Sequence, residues 1–575
     1  MLSNPARWPI LGTCLILAGL GFSACGGESK SSSSSAEVDS NFLRDTGGEL
    51  VPLQAAYDVQ HYRLALEVFP EEQRLEGSLT VEAEILQPLA QLLLDLDPLL
   101  QVREVRDDQD RSLPFQHQQG RITIDLEQKL QAGAVARATV FYGGKPRVAP
   151  RPPWEGGWIW AQTASGEPWL ATACQMEGAD LWWPCKDHPS DKAESMDLHI
   201  TVPEPLICAA NGRLLEVQQH AESKRTFHWQ VSTPIPNYGV ALNIGPYQKL
   251  EHEYQSLGGE SLPIQFWFLP ENEAKARAIV GQFADHMRFF EQNFGPYPFR
   301  ADKYGVVETP HLGMEHQTII AYGNQYQNNK WNYDWLHHHE LAHEWFANLV
   351  TAPDWNDFWI HEGFGSYAQK LYIEQMHGLE AYFEALRDVR GNIRNARPLA
   401  PRKPRTSGQM YFVNRNDDEG GKATDSDIYY KGEWVIHSLR WLLGREMVLK
   451  SMRRLCYPDP EMESQTDGRQ CHFATSGDYQ ALVEELSGQD LDWFFELYLR
   501  QPELPLLQAT RREGSLELRW QTPNDMPFPM PIPLRVNGDD LRISLKNGVA
   551  KIPLPLDAKV ELDPNDWVLH QGNRR

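Results

Sequence analysis

His339-Glu340-Leu341-Ala342-His343 is the stretch of this sequence best equipped for chemistry. On a helix, residues four apart share a face, so the two imidazoles can grip one ion while Glu340 points near it. Catalytic zinc sites take three protein ligands and leave a position for water. A third ligand must therefore come from elsewhere in the chain. Glu362, 19 positions after His343 and at the start of a second helical stretch, is the candidate, with a turn through Pro353 folding that stretch back on the first. Such a set would perform hydrolysis by a metal-activated water. One Zn2+ per chain would be held by His339, His343 and Glu362, and Glu340 would take the water's proton. Neither His337 nor His338 has a histidine four residues on; both read as partly exposed polar residues at the helix entry.

The elements that must position these residues follow from periodicity. Helical spacing recurs over Ala274 to Asn293, Trp335 to Leu349, Gly363 to Met376 and Glu433 to Leu443, which places the chemistry in a helix-rich middle region. Upstream, from about Leu50 to His252, runs such as Tyr62-Arg63-Leu64-Ala65-Leu66-Glu67-Val68 alternate with period two between Gly, Pro and Asp clusters. They predict an all-β region of antiparallel strands. Downstream of Leu504 short strands return, as in Leu516 to Trp520 and Leu541 to Leu545. The expected fold is multidomain α+β: a signal segment over 1–24, a tether over 25–49, a β domain over 50–255, the catalytic domain over 256–504 and a small β domain over 505–575. Trp154, Trp158, Trp160, Trp182 and Trp183 could line a substrate pocket, but packing of the β domain is the simpler expectation.

A chain of 575 residues exceeds one hydrophobic core, and 41% hydrophobic residues with 19 Trp argue for folded domains. The formal net charge of −24 makes nucleic acid and anionic headgroups poor partners for the body. Arg7, the apolar stretch Ile10 to Leu20 and the small residues ending Ser23-Ala24-Cys25 read as an export signal. Gly26-Gly27 and the serines 31–35 then form a flexible tether. Of the remaining cysteines, Cys456 and Cys471 are compatible either with a closed loop or with free thiols. None has a CxxC spacing.

With H-E-x-x-H-x18-E in place, the sequence resembles the zinc aminopeptidase family that includes aminopeptidase N and the leukotriene hydrolase. A second signature supports this: Leu312-Gly313-Met314-Glu315-His316, 24 positions before His339, is similar to the family's G-x-M-E-N segment on a strand edge. Leu312 and His316 stand where the family has Gly and Asn. The resemblance implies that Glu315 binds the substrate's α-amine, with Gly313 and Met314 lining the same pocket. Tyr429-Tyr430-Lys431-Gly432 is similar to the Y-x-K-G segment, which assigns the oxyanion hydrogen bond to Tyr429, with Tyr430 its neighbour and rival. Thr172 to Gly178, followed by Trp183-Pro184-Cys185-Lys186-Asp187, resembles the segment through which the N-terminal domain reaches the cleft, and Gln175 matches its amine-side residue. The fold implied is a saddle-like N-terminal β domain on a thermolysin-like catalytic domain. The family's long helical C-terminal domain has no counterpart in the strands after Pro505. Phe22-Ser23-Ala24-Cys25 resembles the lipobox of bacterial lipoproteins, with Cys25 as the lipid-bearing residue, which implies a membrane anchor in the cell envelope; an ordinary cleaved signal is the alternative.

The functional expectation is an aminopeptidase acting on peptides with a free N-terminal amine. A zinc endopeptidase or epoxide hydrolase on the same scaffold is the second reading, separated from the first by Glu315. A non-catalytic binding protein is the third, opposed by the intact set His339, Glu340, His343, Glu362 and Tyr429.

Overall fold

The computed structural model describes residues 45–414 and 422–573. The segment carrying Cys25 lies outside the described residues. The alternating runs of the first half build a seven-stranded sheet in the order Arg213–His220, Lys224–Val231, Ser195–Pro203, Tyr57–Phe69, Arg74–Ile85, Val135–Gly144, Leu100–Arg106. Alternate residues of the Tyr57–Phe69 strand, Tyr62, Leu64, Leu66 and Val68, enter the core, as period two requires. One pairing departs from the expected antiparallel pattern: Tyr57–Phe69 runs parallel to Ser195–Pro203, with His61 opposite Ser195. Alternation reports which face is buried, not which way the neighbour runs. A four-stranded sheet, Ile207–Ala210, Leu242–Gly245, Pro168–Ala173 and Gly157–Gln162, packs against it. Trp158, Trp182 and Trp183 are fully buried in this core, Trp160 stacks on Trp158 and Trp154 is exposed.

The middle region carries a five-stranded sheet in the order Gln248–His252, Ile264–Phe268, Tyr304–Glu308, Ile320–Tyr322, Gly313–Met314. Its first strand comes from upstream of position 255, so the sheet draws on both sides of the expected boundary. Gly313–Met314 is the opposite edge, paired with Tyr322 and Ala321. Nine α-helices occur among the described residues: α1 Glu273–Phe294, α2 Trp335–Ala342, α3 Trp359–His377, α4 Leu379–Arg390, α5 Ser407–Tyr411, α6 Asp427–Leu443, α7 Arg445–Cys456, α8 Ser476–Ser487 and α9 Asp492–Arg500. The helical spacing expected to continue to Leu349 gives regular α-helix only to Ala342. Beyond it the N–H groups of Asn348, Leu349 and Val350 donate to carbonyls five residues back, a wider winding. Val350–Thr351 then pairs with His472–Phe473.

After α9, six strands form two three-stranded sheets, one of Leu506–Arg512, Ser515–Gln521 and Val549–Pro553, the other of Asp539–Ile543, Ile532–Val536 and Val560–Leu562. They close on the back of α6: Trp441 Nε1 donates to the Pro531 carbonyl at 2.8 Å and His437 Nε2 lies 3.0 Å from the Asp566 carbonyl. Among the described residues no helix is long and apolar enough to cross a membrane. Cys174, Cys185, Cys208, Cys456 and Cys471 are all free thiols, which decides the open pairing of Cys456 and Cys471.

Candidate active site

Helix α2 starts where Asp334 caps it, its carboxylate accepting from the His337 N–H at 3.0 Å and from Asn324 Nδ2 at 2.9 Å. One turn later His339 and His343 share a face. Helix α3 is fixed at its start by Trp359 Nε1 donating to Ser476 Oγ at 2.8 Å and by the Ala352 N–H donating to His361 Nε2 at 2.9 Å. Glu362 falls in its first turn. The result is a triangle of ligand-type atoms: His339 Nε2 to His343 Nε2 is 3.3 Å, His343 Nε2 to Glu362 Oε2 is 3.4 Å and His339 Nε2 to Glu362 Oε2 is 3.5 Å. Bonds of about 2.0–2.1 Å in a tetrahedral zinc site separate ligand atoms by about 3.3–3.4 Å. The donor set therefore fits such an ion. Two further observations agree. Glu362 Oε2 is buried without closing a hydrogen bond of its own. His343 Nδ1 donates to the Phe346 carbonyl at 3.0 Å, leaving the Nε2 lone pair toward the other two.

Glu340 lies beside this triangle. It is buried, and burial followed by the like charge of Glu315 pushes its carboxyl well above the usual carboxylate range, with His343 opposing. Donor atoms of Glu315, Glu340 and His343 all lie within 4.8 Å of one another. Glu315 follows the edge strand Gly313–Met314 directly, and burial first, with the like charge of Glu362, pushes it up to about 7 against the pull of His343. Gln175, on the loop after the Pro168–Ala173 strand, donates through Nε2 to Glu315 Oε1. Met314 is buried. Gly313 is required by close approach: a Cβ there would stand 2.8 Å from Glu340 Oε1 and 2.7 Å from Leu336 Cδ1.

Tyr429 and Tyr430 separate cleanly. The Tyr429 ring lies 6.0 Å from that of His339. Burial, then the neighbouring Glu362 carboxylate, hold its phenol well above the ordinary range, so it carries its proton. Tyr430 answers to burial and then Glu433, with Asn392 as its hydrogen-bond partner. Tyr429 therefore faces the triangle, and Tyr430 is turned away from it.

Four contributors escape sequence reasoning. Asn348 Nδ2 donates to the Glu315 carbonyl at 3.0 Å, while Lys192 Nζ donates to the Asn348 carbonyl at 2.9 Å, tying the amine-side strand to the end of the α2 segment. A polar residue inside the apolar run Phe346 to Val350 is the only signal. Gly363 and Gly432 mark where α3 and α6 cross: a Cβ on Gly432 would meet Gly363 Cα at 2.8 Å. The expectation for His337 and His338 requires correction. Both are fully buried, because the face of α2 opposite the triangle packs on α1 and its aromatic residues.

Residues 58–238 match the peptidase M1 N-terminal domain and residues 283–470 the peptidase family M1 domain. Together these spans take in more than half of the chain, and the chain belongs to the peptidase M1 family. It is 28% identical over 298 residues to leucine aminopeptidase 2 of Vanderwaltozyma polyspora, covering 49% of this chain and 42% of that protein. To aminopeptidase 2 of Candida albicans it is 21% identical over 467 residues, covering 78% and 48%. The chain thus spans about half the length of the curated relatives it matches. The fold is shared with an M1 zinc metallopeptidase from Deinococcus radiodurans, with a TM-score of 0.64 at 24% identity over 78% of this chain and 95% of that one.

Proposed function

We propose that this chain is a zinc-dependent aminopeptidase that hydrolyses the N-terminal peptide bond of peptides. The observation that carries the reading is the Glu315–Gln175 pair beside Glu340 and His343. A buried carboxylate held next to a zinc-type triangle suits a substrate ammonium, and an endopeptidase gains nothing from it. His339, His343 and Glu362 would hold a Zn2+, which when bound would supply Lewis acidity toward the scissile carbonyl and the attacking water. Glu340 accepts the proton of the attacking water on its carboxylate and hands it to the leaving amine. Tyr429 donates its O–H to the oxygen on which negative charge develops. Glu315 holds the α-ammonium at a set distance from these groups, so cleavage falls one residue in from the N-terminus.

The test is hydrolysis of aminoacyl anilides beside their N-acetylated counterparts, with and without a chelator. Chelator-sensitive hydrolysis of the free-amine series alone is expected; equal cleavage of blocked peptides at internal bonds would move the assignment to endopeptidase. The reading extends to location. The pattern ending at Cys25 and the serine tether support an exported lipoprotein anchored in a bacterial envelope membrane. Wild-type protein should carry fatty acid and sediment with membranes, and Cys25→Ser should do neither; identical fractionation of the two would remove the anchor.

A further inference from the structure

Tyr238 sits in a short turn, Asn237–Gly239, that belongs to the N-terminal β region yet reaches the amine end of the site. Three separate segments meet on it. Its ring packs against Trp355, 5.5 Å away, in the turn that leads into α3 and Glu362. Its carbonyl accepts from Cys174 Sγ at 3.9 Å, one residue before Gln175. Its turn is clamped to the chain just past Glu315 by Asn211, whose Nδ2 donates to the Gly239 carbonyl at 2.7 Å and to the Gln317 carbonyl at 2.6 Å. Asn211 Oδ1 is held in turn by the Ala241 N–H at 2.7 Å.

The hydroxyl at the end of this anchored ring is what the packing leaves unexplained. Tyr238 is 3% exposed, and its buried oxygen closes no hydrogen bond of good geometry, although the Glu315 carboxyl and the Gln175 amide stand beside it. A buried, unsatisfied hydroxyl costs stability unless something uses it. Burial first and then the Glu315 charge keep this phenol well above its ordinary range, so it is an O–H donor throughout the working pH of any such enzyme. Glu315 accepts from Gln175 on Oε1 and from its own backbone N–H, while the like charges of Glu340 and Glu362 press on it; a donor from a separate, anchored segment is what would hold its carboxylate plane against them.

We propose that Tyr238 is a positioning residue of the amine site, donating its hydroxyl proton to the Glu315 carboxylate so that, with Gln175, it fixes that carboxylate in place for the substrate's α-ammonium. The proposal rests on the aminopeptidase reading. It assigns the N-terminal β region two contacts with Glu315, one from Gln175 and one from Tyr238, on separate segments of chain.

The experiment compares Tyr238→Phe, which keeps the ring on Trp355 and removes only the hydroxyl, with wild type. The probes are leucine hydroxamate and its counterpart lacking the amino group, used as competitive inhibitors of aminoacyl anilide hydrolysis. A hydrogen bond to a charged group is worth about ten- to a hundredfold in equilibrium. Tyr238→Phe should therefore weaken the amine-bearing inhibitor at least about tenfold and raise KM similarly, while the des-amino inhibitor and the bound metal stay within about twofold. In a Glu315→Gln background the same change should add little, since the hydroxyl acts through that carboxylate. Equal weakening of both inhibitors, or full additivity with Glu315→Gln, would make Tyr238 a packing residue and overturn the proposal. So would an amine-bearing inhibitor left unaffected. A wild type that does not distinguish the two inhibitors would instead bring down the amine site itself, a separate outcome from the behaviour of Tyr238.

Discussion

Helix α2 and the turn after it carry four histidines within seven residues, and the two faces treat them in opposite ways. His339 and His343 look across at carboxylates brought by other elements: Glu362 from α3 and, for His343, Glu315 from the sheet edge. His337 and His338 look into the α1 side of the core. His337 stacks on Phe283 at 3.8 Å, lies 2.9 Å from His286 Nδ1 and receives the Tyr304 hydroxyl; His338 sits 4.7 Å from Phe290 and 4.6 Å from Tyr372. Burial drives both of these far below the usual histidine range, with neighbouring His286 adding to it, so they are neutral core residues. All four are buried or nearly so. What separates a metal-type histidine from a core histidine is therefore the charge that faces it from another element, not its own exposure. Partners sort the glutamates as well: Glu340 turns to the triangle, while Glu344, four residues on, is taken up by the Thr318 N–H at 2.8 Å and by Asn348 Nδ2 at 3.3 Å.

The sharpest way to break this comparison is to truncate one histidine from each face. His343→Ala should lose most of its zinc and at least about a thousandfold in activity, because it removes a third of the ligand set and the Lewis acid with it. His338→Ala should keep its zinc and instead lose about 2 kcal/mol or more of stability to the cavity left among the aromatic rings. Metal content and thermal unfolding measured on both proteins decide the matter; zinc lost equally from the two would mean that the faces are not functionally distinct.

A further pair, one step down in size, lies on α6. Tyr429→Phe should lower kcat about a hundredfold with zinc retained, the typical loss when one oxyanion donor is removed. Tyr430→Phe, whose phenol is directed toward Glu433 and Asn392, should change it less than about threefold. If the two variants exchange these effects in steady-state kinetics, the orientation of the pair is the reverse of that described.

Below these comes the amine site. Glu315→Gln should reduce kcat/KM by at least about tenfold on free-amine substrates and leave the poor hydrolysis of N-acetylated ones unchanged, because the lost bond is to a charge that only the former carry. A uniform loss on both substrate series would show that Glu315 serves the metal face generally rather than the ammonium.

How much of this is legible in the sequence follows the same physical line. His339, Glu340, His343 and Glu362 can be read because one helix turn fixes the first three and a fixed separation brings the fourth. The edge strand that leads directly into Glu315 can be read through its likeness to a family segment. Apolar spacing predicts a longer helix α2 than the molecule has, since it cannot distinguish α turns from the wider ones that follow Ala342. His337 and His338 defeat a local reading because histidine is amphiphilic, and partners from distant elements, the aromatic residues of α1 with Tyr304 and Tyr372, decide its burial. Direction of pairing between Tyr57–Phe69 and Ser195–Pro203 is illegible for the same reason: it is set by long-range topology. Asn348 and the glycine crossing matter only through what they touch, and contact across the fold leaves no local pattern.

The smallest expected effect tests that last class. Gly432 lies three residues after Tyr429 on α6, and Gly363 one residue after Glu362 on α3, so the point where the two helices touch sets the distance between the oxyanion donor and a metal ligand. Helix propensity alone favours alanine over glycine by about 1 kcal/mol. At Gly281, exposed on α1 with nothing within 4 Å of an added Cβ, that preference should act unopposed, and Gly281→Ala should be neutral or slightly stabilising. At Gly432 the added carbon would lie 2.8 Å from Gly363 Cα, against backbone that cannot rotate away as a flexible side chain would. The helices must move apart, at a cost of about 1–3 kcal/mol for overpacking, which outweighs the propensity gain. Because both functional residues ride on the separated helices, Gly432→Ala should also lower kcat several-fold with zinc content unchanged. Lower stability with kcat intact would show that the crossing holds the domain together without setting the place of Tyr429, and the distinction between the chemical face and its packing support would have to be drawn closer to the metal.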